Sequence, residues 1–304
     1  MHAHHEHSVP AHGAASGWGR AFVIGIALNA AFAAIEAAVG WSVHSLALLA
    51  DAGHNLGDVV GLLLAALAAL AARRSADARH TYGWRRVSVL AGFVNALFLA
   101  LAMLVLISVA LQRLAHPQAL AAGLVMVVAA VGVLINGASA LLFRAHADDL
   151  NVAAVFWHLL ADALVSLAVV ATGALYVWRH WTWLDPVASL LIAAVILYGA
   201  WRLLRQSLHR LVDAVPEHLD SGAIRARLLA LEGVVDIHDL HIWRPGSTEV
   251  ALTAHMVLSR QAKGEEVLHH ALHLLADEFA IHHVTLQQES MDFHHSCQDS
   301  CQVC

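Results

Sequence analysis

Apolar residues dominate six long stretches of the chain, and polar residues gather between and after them. The stretches are 20–40, 46–72, 87–112, 118–143, 152–178 and 185–208. A bilayer-spanning helix needs about 20 mostly apolar residues, so the pattern predicts six transmembrane helices. Trp18, Trp41, Trp84, Trp181 and Trp183 fall near the ends of these stretches, where amphipathic rings settle at a membrane interface. After Pro216 the period changes. Residues 217–232 carry apolar residues at helical spacing, 234–243 and 248–258 read as strands around the turn Arg244-Pro245-Gly246-Ser247, 264–279 is again helical, and 281–289 reads as a last strand. The predicted architecture is an all-α six-helix membrane domain followed by a small α+β domain of order α-β-β-α-β. The expected divisions are a polar tail over 1–18, a membrane domain over 19–208, a soluble domain over 209–292 and a second tail over 293–304.

Composition agrees with lipid as the main solvent. The chain is 304 residues long, 59% hydrophobic and 13% charged, against about 25% charged for an ordinary soluble domain. Its net charge of -6 implies no nucleic-acid partner. Basic residues set the orientation. The connection between the second and third helices holds Arg73, Arg74, Arg79, Arg85 and Arg86, and Arg202, Arg205 and Arg210 lie at and just beyond the end of the sixth. The positive-inside rule then places both termini in the cytoplasm, as an even number of spans requires. Met1–Gly13 lacks the features of a cleaved signal peptide. Abundant Ala and Arg, with Lys263 the single lysine, suggest a bacterial source and hence an inner (plasma) membrane.

The chemistry lies in the histidines, whose 24 copies outnumber the 17 Lys and Arg. The second and fifth apolar stretches each contain His-x-x-x-Asp: His54 with Asp58, and His158 with Asp162. Residues four apart share a helix face. Two such helices facing each other offer two imidazoles and two carboxylates, a tetrahedral N/O shell suited to Zn²⁺. An ionisable side chain near the bilayer centre costs about 2.5–3.5 kcal/mol, and a divalent cation neutralises both carboxylates. The bland reading, a polar seam that packs helices, leaves the repeated spacing unexplained. Asp51, Glu36 and Asn29 are expected either to line the ion's path or to hydrogen-bond between helices. Asn95 and Asn136 are read as packing groups, and Gly53 and Gly57 as points of close helix approach. An intramembrane zinc metalloenzyme would need an open coordination position and a general base, and its usual His-Glu-x-x-His signature does not occur. A membrane-anchored metal sensor would leave the paired motifs without a purpose.

A second metal site is expected in the soluble domain from His238 and His255 on neighbouring strands, closed by His282 and Glu289. His269, His270 and His273 are read as surface histidines. The three cysteines, Cys297, Cys301 and Cys304, cluster in the last eight residues. Cys301-x-x-Cys304 suits a soft metal or redox chemistry. With His2, His4, His5 and His7 at the other end, both tails suggest metal capture.

Several stretches together resemble the zinc-exporting branch of the cation diffusion facilitator family. They are SLALLADAGHNLGDVVGL, RHTYGWRRVSVLAGFVNA, DDLNVAAVFWHLLADALVS, Asp185-Pro186, HDLHIW and HVTLQQES. The resemblance covers about residues 18–304. It implies a Y-shaped homodimer, a metallochaperone-like cytoplasmic domain, and exchange of a divalent cation, Zn²⁺ first, against protons. It also implies a transport site at His54, Asp58, His158 and Asp162, with the helix-2 histidine favouring zinc, and a regulatory site at His238, His255, His282 and Glu289. Some members carry a further site in the loop between helices 2 and 3. Asp77 and His80 match it here, but Trp84 stands where a third ligand would be.

Overall fold

A computed structural model describes residues 15–116, 118–144, 150–246 and 249–291. Six long helices come first: α1 (Ala15–Ser42), α2 (Leu46–Ala72), α3 (Val87–Ala115), α4 (Ala122–Arg144), α5 (Leu150–Arg179) and α6 (Leu184–Leu211). The α2, α3, α4, α5 and α6 helices each contain a segment long and apolar enough to cross a membrane. Then follow α7 (Ser221–Leu229), β1 (Val234–Trp243), β2 (Ala251–Leu258), α8 (Gly264–Phe279) and β3 (His283–Ser290). The chain forms two compact units. One comprises the described residues up to Leu62 with Phe98–Ala200, and the other Leu63–Leu97 with the residues from Trp201 onward.

The first unit is built inside out relative to a water-soluble protein. Glu36, Asp51, Asn55, Asn136, Asp162, Ser166 and Asp185 are buried, while Leu101, Val105, Leu134, Leu191, Val195 and Tyr198 are exposed. Large apolar surfaces of this kind are rare in water, and lipid tails match them. Between the polar groups runs an apolar core of Phe32, Leu48, Leu99, Met103, Val125, Val169, Ile192 and Ile196. Glycine decides how closely the helices pack. A Cβ at Gly57 would stand 3.0 Å from Leu99 Cδ1, and one at Gly132 2.9 Å from both Phe32 Cζ and Ser166 Oγ.

Asp185 fixes the start of α2. Its Oδ1 accepts from the Ser45 hydroxyl at 2.7 Å, and its Oδ2 from the Leu46 N–H at 2.8 Å. Ser45 Oγ in turn accepts from the Leu48 N–H at 3.2 Å. The Ser45 side chain, just before α2, and the Asp185 side chain, from the start of α6, thus satisfy the first amide donors of α2, and the carboxylate complements the helix dipole. The three buried interactions hold the end of the helix that carries His54 and Asp58.

In the second unit, β1 pairs antiparallel with β2, and β2 pairs parallel with β3, in the order β1-β2-β3. The α8 helix makes the crossover that a parallel pair requires. Ile224, Leu228, Ile237, Leu252, Met256, Val267, Leu275 and Ile281 form the core. The α7 helix is shorter than the predicted 217–232: Asp220 caps its start by accepting from the Gly222 N–H at 2.8 Å, and it ends at Leu229 with Ala230 as its C-cap. The second strand starts at Ala251 and the third ends at Ser290, within a few residues of expectation.

Candidate metal centres

His54 and Asp58 lie on α2, and His158 and Asp162 on α5. The helical period brings each pair onto one face, and the two faces meet. One ligand atom from each of the four residues lies within 4.8 Å of all the others. His54 Nε2 stands 3.2 Å from Asp162 Oδ1 and 3.7 Å from Asp58 Oδ2. His158 Nε2 stands 3.1 Å from Asp58 Oδ2 and 3.6 Å from Asp162 Oδ2. For bond lengths near 2.05 Å, the edge of a tetrahedral zinc shell is about 3.3 Å. The four His–Asp separations bracket that value. Among the described residues, the buried Asp58 Oδ2 and His54 Nδ1 have no well-aligned hydrogen-bond partner. That leaves Asp58 Oδ2 with lone-pair capacity for a cation.

Two of the three polar residues expected beside this cluster, Glu36 and Asp51, hydrogen-bond between helices, while the buried Asn29 Oδ1 has no partner among the described residues. Asn55 donates from Nδ2 to Glu36 Oε2 at 3.1 Å, joining α2 to α1. Ser166 donates from its hydroxyl to Asp51 Oδ2 at 2.7 Å, joining α5 to α2.

The soluble domain brings together three of the four residues expected there. His238 and His255 are directly opposite on β1 and β2, with ring centroids 4.9 Å apart. Glu289 on β3 reaches both: His238 Nε2–H donates to Oε2 at 3.1 Å, and His255 Nδ1–H to Oε1 at 2.7 Å. These three form a second convergent ligand group. Glu289 is buried, and burial opposes its ionisation. The hydrogen bonds from the two histidines outweigh that and hold its carboxyl below the usual range.

His282 is not part of this group. It precedes β3, and at about 3.3 Å per residue the seven steps to Glu289 carry it some 20 Å along the strand. Its exposed side chain instead lines a cavity of about 1030 Å³ with Arg73, Arg74 and Glu249. Two polar neighbours were not in the expected set. Gln287 donates to Glu289 Oε1 at 3.0 Å. Asp239 sits in a β-bulge at φ 51° between His238 and His241. The bulge places its Oδ1 2.8 Å from His241 Nε2 and its Oδ2 3.7 Å from His255 Nε2. Asp tolerates the left-handed region better than most residues, and that was the one sequence signal for its role.

Asp77 and His80 form a tight local turn. Asp77 Oδ1 accepts from the Arg79 and His80 N–H groups at 2.7 Å each, and His80 Nδ1 lies 3.2 Å from both carboxylate oxygens. These bonds push the Asp77 carboxyl down from its ordinary value. His80 stacks on Trp84 with centroids 4.5 Å apart. Among the described residues no third ligand joins this pair. His2, His4, His5, His7, Cys297, Cys301 and Cys304 lie outside the described residues.

Comparison with known proteins gives the same outline. Residues 22–212 match the profile of the cation efflux transmembrane domain, and residues 216–291 that of the cation efflux protein cytoplasmic domain. The metal cation efflux system protein CzcD of Cupriavidus metallidurans is 35% identical over 291 residues, covering 95% of this chain and 90% of its own. The zinc transporter ZitB of Escherichia coli is 34% identical over 278 residues, covering 90% and 88%. The cadmium, cobalt and zinc/H(+)-K(+) antiporter of Bacillus subtilis is 32% identical over 274 residues, covering 88% of each. With the matched profiles spanning both the long helices and the soluble domain, the chain belongs to the cation diffusion facilitator family, whose members are cation efflux transporters and not enzymes.

Proposed function

We propose that this protein exports Zn²⁺ in exchange for protons, by alternating access around His54, Asp58, His158 and Asp162. The observation that carries this reading is the convergence of four N and O ligand atoms within 4.8 Å on two helices long enough to span a bilayer. Relatives named for zinc, cadmium and cobalt, one of them as an antiporter with H⁺, support it. Two imidazoles and two carboxylates are borderline ligands that suit Zn²⁺. Two carboxylates balance the ion's charge, so the loaded site is neutral in a low-dielectric setting.

The proton coupling follows from the same ligands. Metal binds imidazole and carboxylate only in their deprotonated forms. Protons arriving from the far side therefore displace the ion, and the protonated ligands return to the near side. The membrane is the bacterial inner membrane, with both termini cytoplasmic and the protein a homodimer. His238, His255 and Glu289 hold a second Zn²⁺ that acts as a regulatory ligand of the soluble domain. Three protein ligands leave a fourth coordination position for water or another donor. The Cys301/Cys304 tail and the His-rich start capture metal for delivery.

The test is reconstitution in liposomes with a pH-sensitive dye inside. An imposed Zn²⁺ gradient should drive proton movement in the opposite direction. Zn²⁺ movement without any counterflow of protons would overturn the antiport reading.

A further inference from the structure

The histidines of α8 were expected to be unremarkable surface groups, and the geometry assigns two of them another role. His269 and His273 are four apart, so they share a helix face. Both are exposed. Their Nε2 atoms lie 3.2 Å apart, with ring centroids 4.4 Å apart and the rings tilted by 53°. We propose that His269 and His273 form a third, solvent-exposed metal site, a bidentate clamp for a borderline divalent cation such as Zn²⁺, Ni²⁺ or Cu²⁺.

Three observations carry this. First, the Nε2 separation matches the edge of a tetrahedral shell, about 3.3 Å for Zn–N bonds near 2.05 Å. Both nitrogens therefore reach one ion with little movement. Second, Glu265 and Asp277 continue the same four-residue spacing on either side, both exposed. They place negative charge one turn from each histidine. Third, the chemistry is that of binding and not of hydrolysis. The stretch reads His269-His270-Ala271-Leu272-His273, with histidine where a metalloprotease helix carries its glutamate base. His270 points about 100° away around the helix from His269 and does not belong to the clamp.

The ligand set fixes the class of ion. Two imidazoles favour Cu²⁺, Ni²⁺, Co²⁺ and Zn²⁺ and give little hold on Mg²⁺ or Ca²⁺. Two protein ligands leave the remaining positions to water, so ions arrive and depart quickly. Such a site concentrates labile cation on the soluble domain. This inference does not rest on the transport reading, because its test is metal binding alone.

The test uses the full-length protein in detergent and equilibrium dialysis against Zn²⁺ alone. His269→Gln/His273→Gln should bind about one Zn²⁺ fewer per chain than the parent, lost from the weak, fast-exchanging class. His270→Gln should bind as much as the parent. Cu²⁺ added to the parent should give an electron-paramagnetic signal split by two imidazole nitrogens, and the double variant should lose that splitting. All three residues are exposed, so folding is expected to survive. His273→Gln alone serves as a second probe, because a clamp fails when either arm is removed. Undiminished Zn²⁺ binding by the double variant, or an equal loss in His270→Gln, would overturn the proposal.

Discussion

Asp162→Asn is the sharpest probe of the intramembrane site. The change is isosteric and removes one charge, at the proposed ligand whose side chain is only 5% exposed. With neutral imidazoles, Zn²⁺ and two carboxylates sum to zero. The variant leaves one positive charge unbalanced. An uncompensated charge within the bilayer costs about 2.5–3.5 kcal/mol, and about 1.4 kcal/mol is a factor of ten in affinity. Zn²⁺ should therefore bind about 60- to 300-fold more weakly. The metal-free protein should respond with the opposite sign, because the variant buries one fewer carboxylate. Fold and oligomeric state should survive, which size-exclusion chromatography checks. In liposomes, the Zn²⁺ concentration for half-maximal proton flux should rise by about two orders of magnitude. A half-maximal concentration within about threefold of the parent would refute the reasoning. It would mean either that the cation does not meet Asp162 or that the site carries a net charge other than zero.

Three further outcomes are expected. Asp185→Ala removes buried acceptors from the Ser45 hydroxyl and the Leu46 amide. At about 1 kcal/mol for a lost cap and 1.5–3 for hydrogen bonds to a charged group, it should destabilise the membrane unit by about 3 kcal/mol, seen as a lower midpoint in a thermal melt in detergent. Arg227, hydrogen-bonded to Glu278, holds that carboxyl below its usual value. A depressed folded pKa contributes stability that is complete above the unfolded value of about 4.3 and is lost as pH falls through the folded one. Glu278→Gln should therefore differ from the parent at neutral pH, converge with it in acid, and differ less as salt is added; a gap that widens in acid would contradict this. His282→Ala should leave Zn²⁺ binding at the soluble-domain site unchanged, whereas Glu289→Gln should weaken it at least tenfold by calorimetry.

Much of this architecture was legible from residue order. Each long helix follows from an uninterrupted apolar run, and the repeated His-x-x-x-Asp needs only the helical period to place its side chains on one face. That α2 and α5 meet was an inference from economy, since an unmatched carboxylate in lipid is costly. The soluble-domain site was harder. His238 and His255 belong to strands linked by a short turn, and their pairing is local. Glu289 and His282 both lie after α8, and nothing in the sequence states the parallel register between β2 and β3. That register pairs Val257 with Glu289 and His255 with Gln287, which decides between the two. The place of Asp239 beside His255 is not legible in the sequence, because a bulge is not visible in alternation. The histidine pair on α8 is illegible for the opposite reason. Four-residue spacing is common on any exposed helix, and only rotamers distinguish facing rings from diverging ones.

On the proposed transport reading, the hydrogen bonds around the His54–Asp58–His158–Asp162 cluster bear on how it would release an ion. Its His–Asp separations run from 3.1 to 3.7 Å, so a relative slide of α2 and α5 by 1–2 Å takes at least one ligand out of bonding reach of a common ion. Two of the four ligands belong to each helix, and such a slide splits the shell into two His–Asp halves. Each half can still take a proton, because a His–Asp pair binds protons without tetrahedral geometry. Asn55–Glu36 ties α2 to α1 and Ser166–Asp51 ties α5 to α2. The first bond moves with α2 only if α1 moves with it, while the second spans the α2–α5 contact and must stretch or exchange in such a slide. Small, discrete helix shifts are the ordinary currency of switching in packed proteins. An ion that demands four ligands at fixed angles, opposed by protons that demand only two, gives that shift a chemical direction.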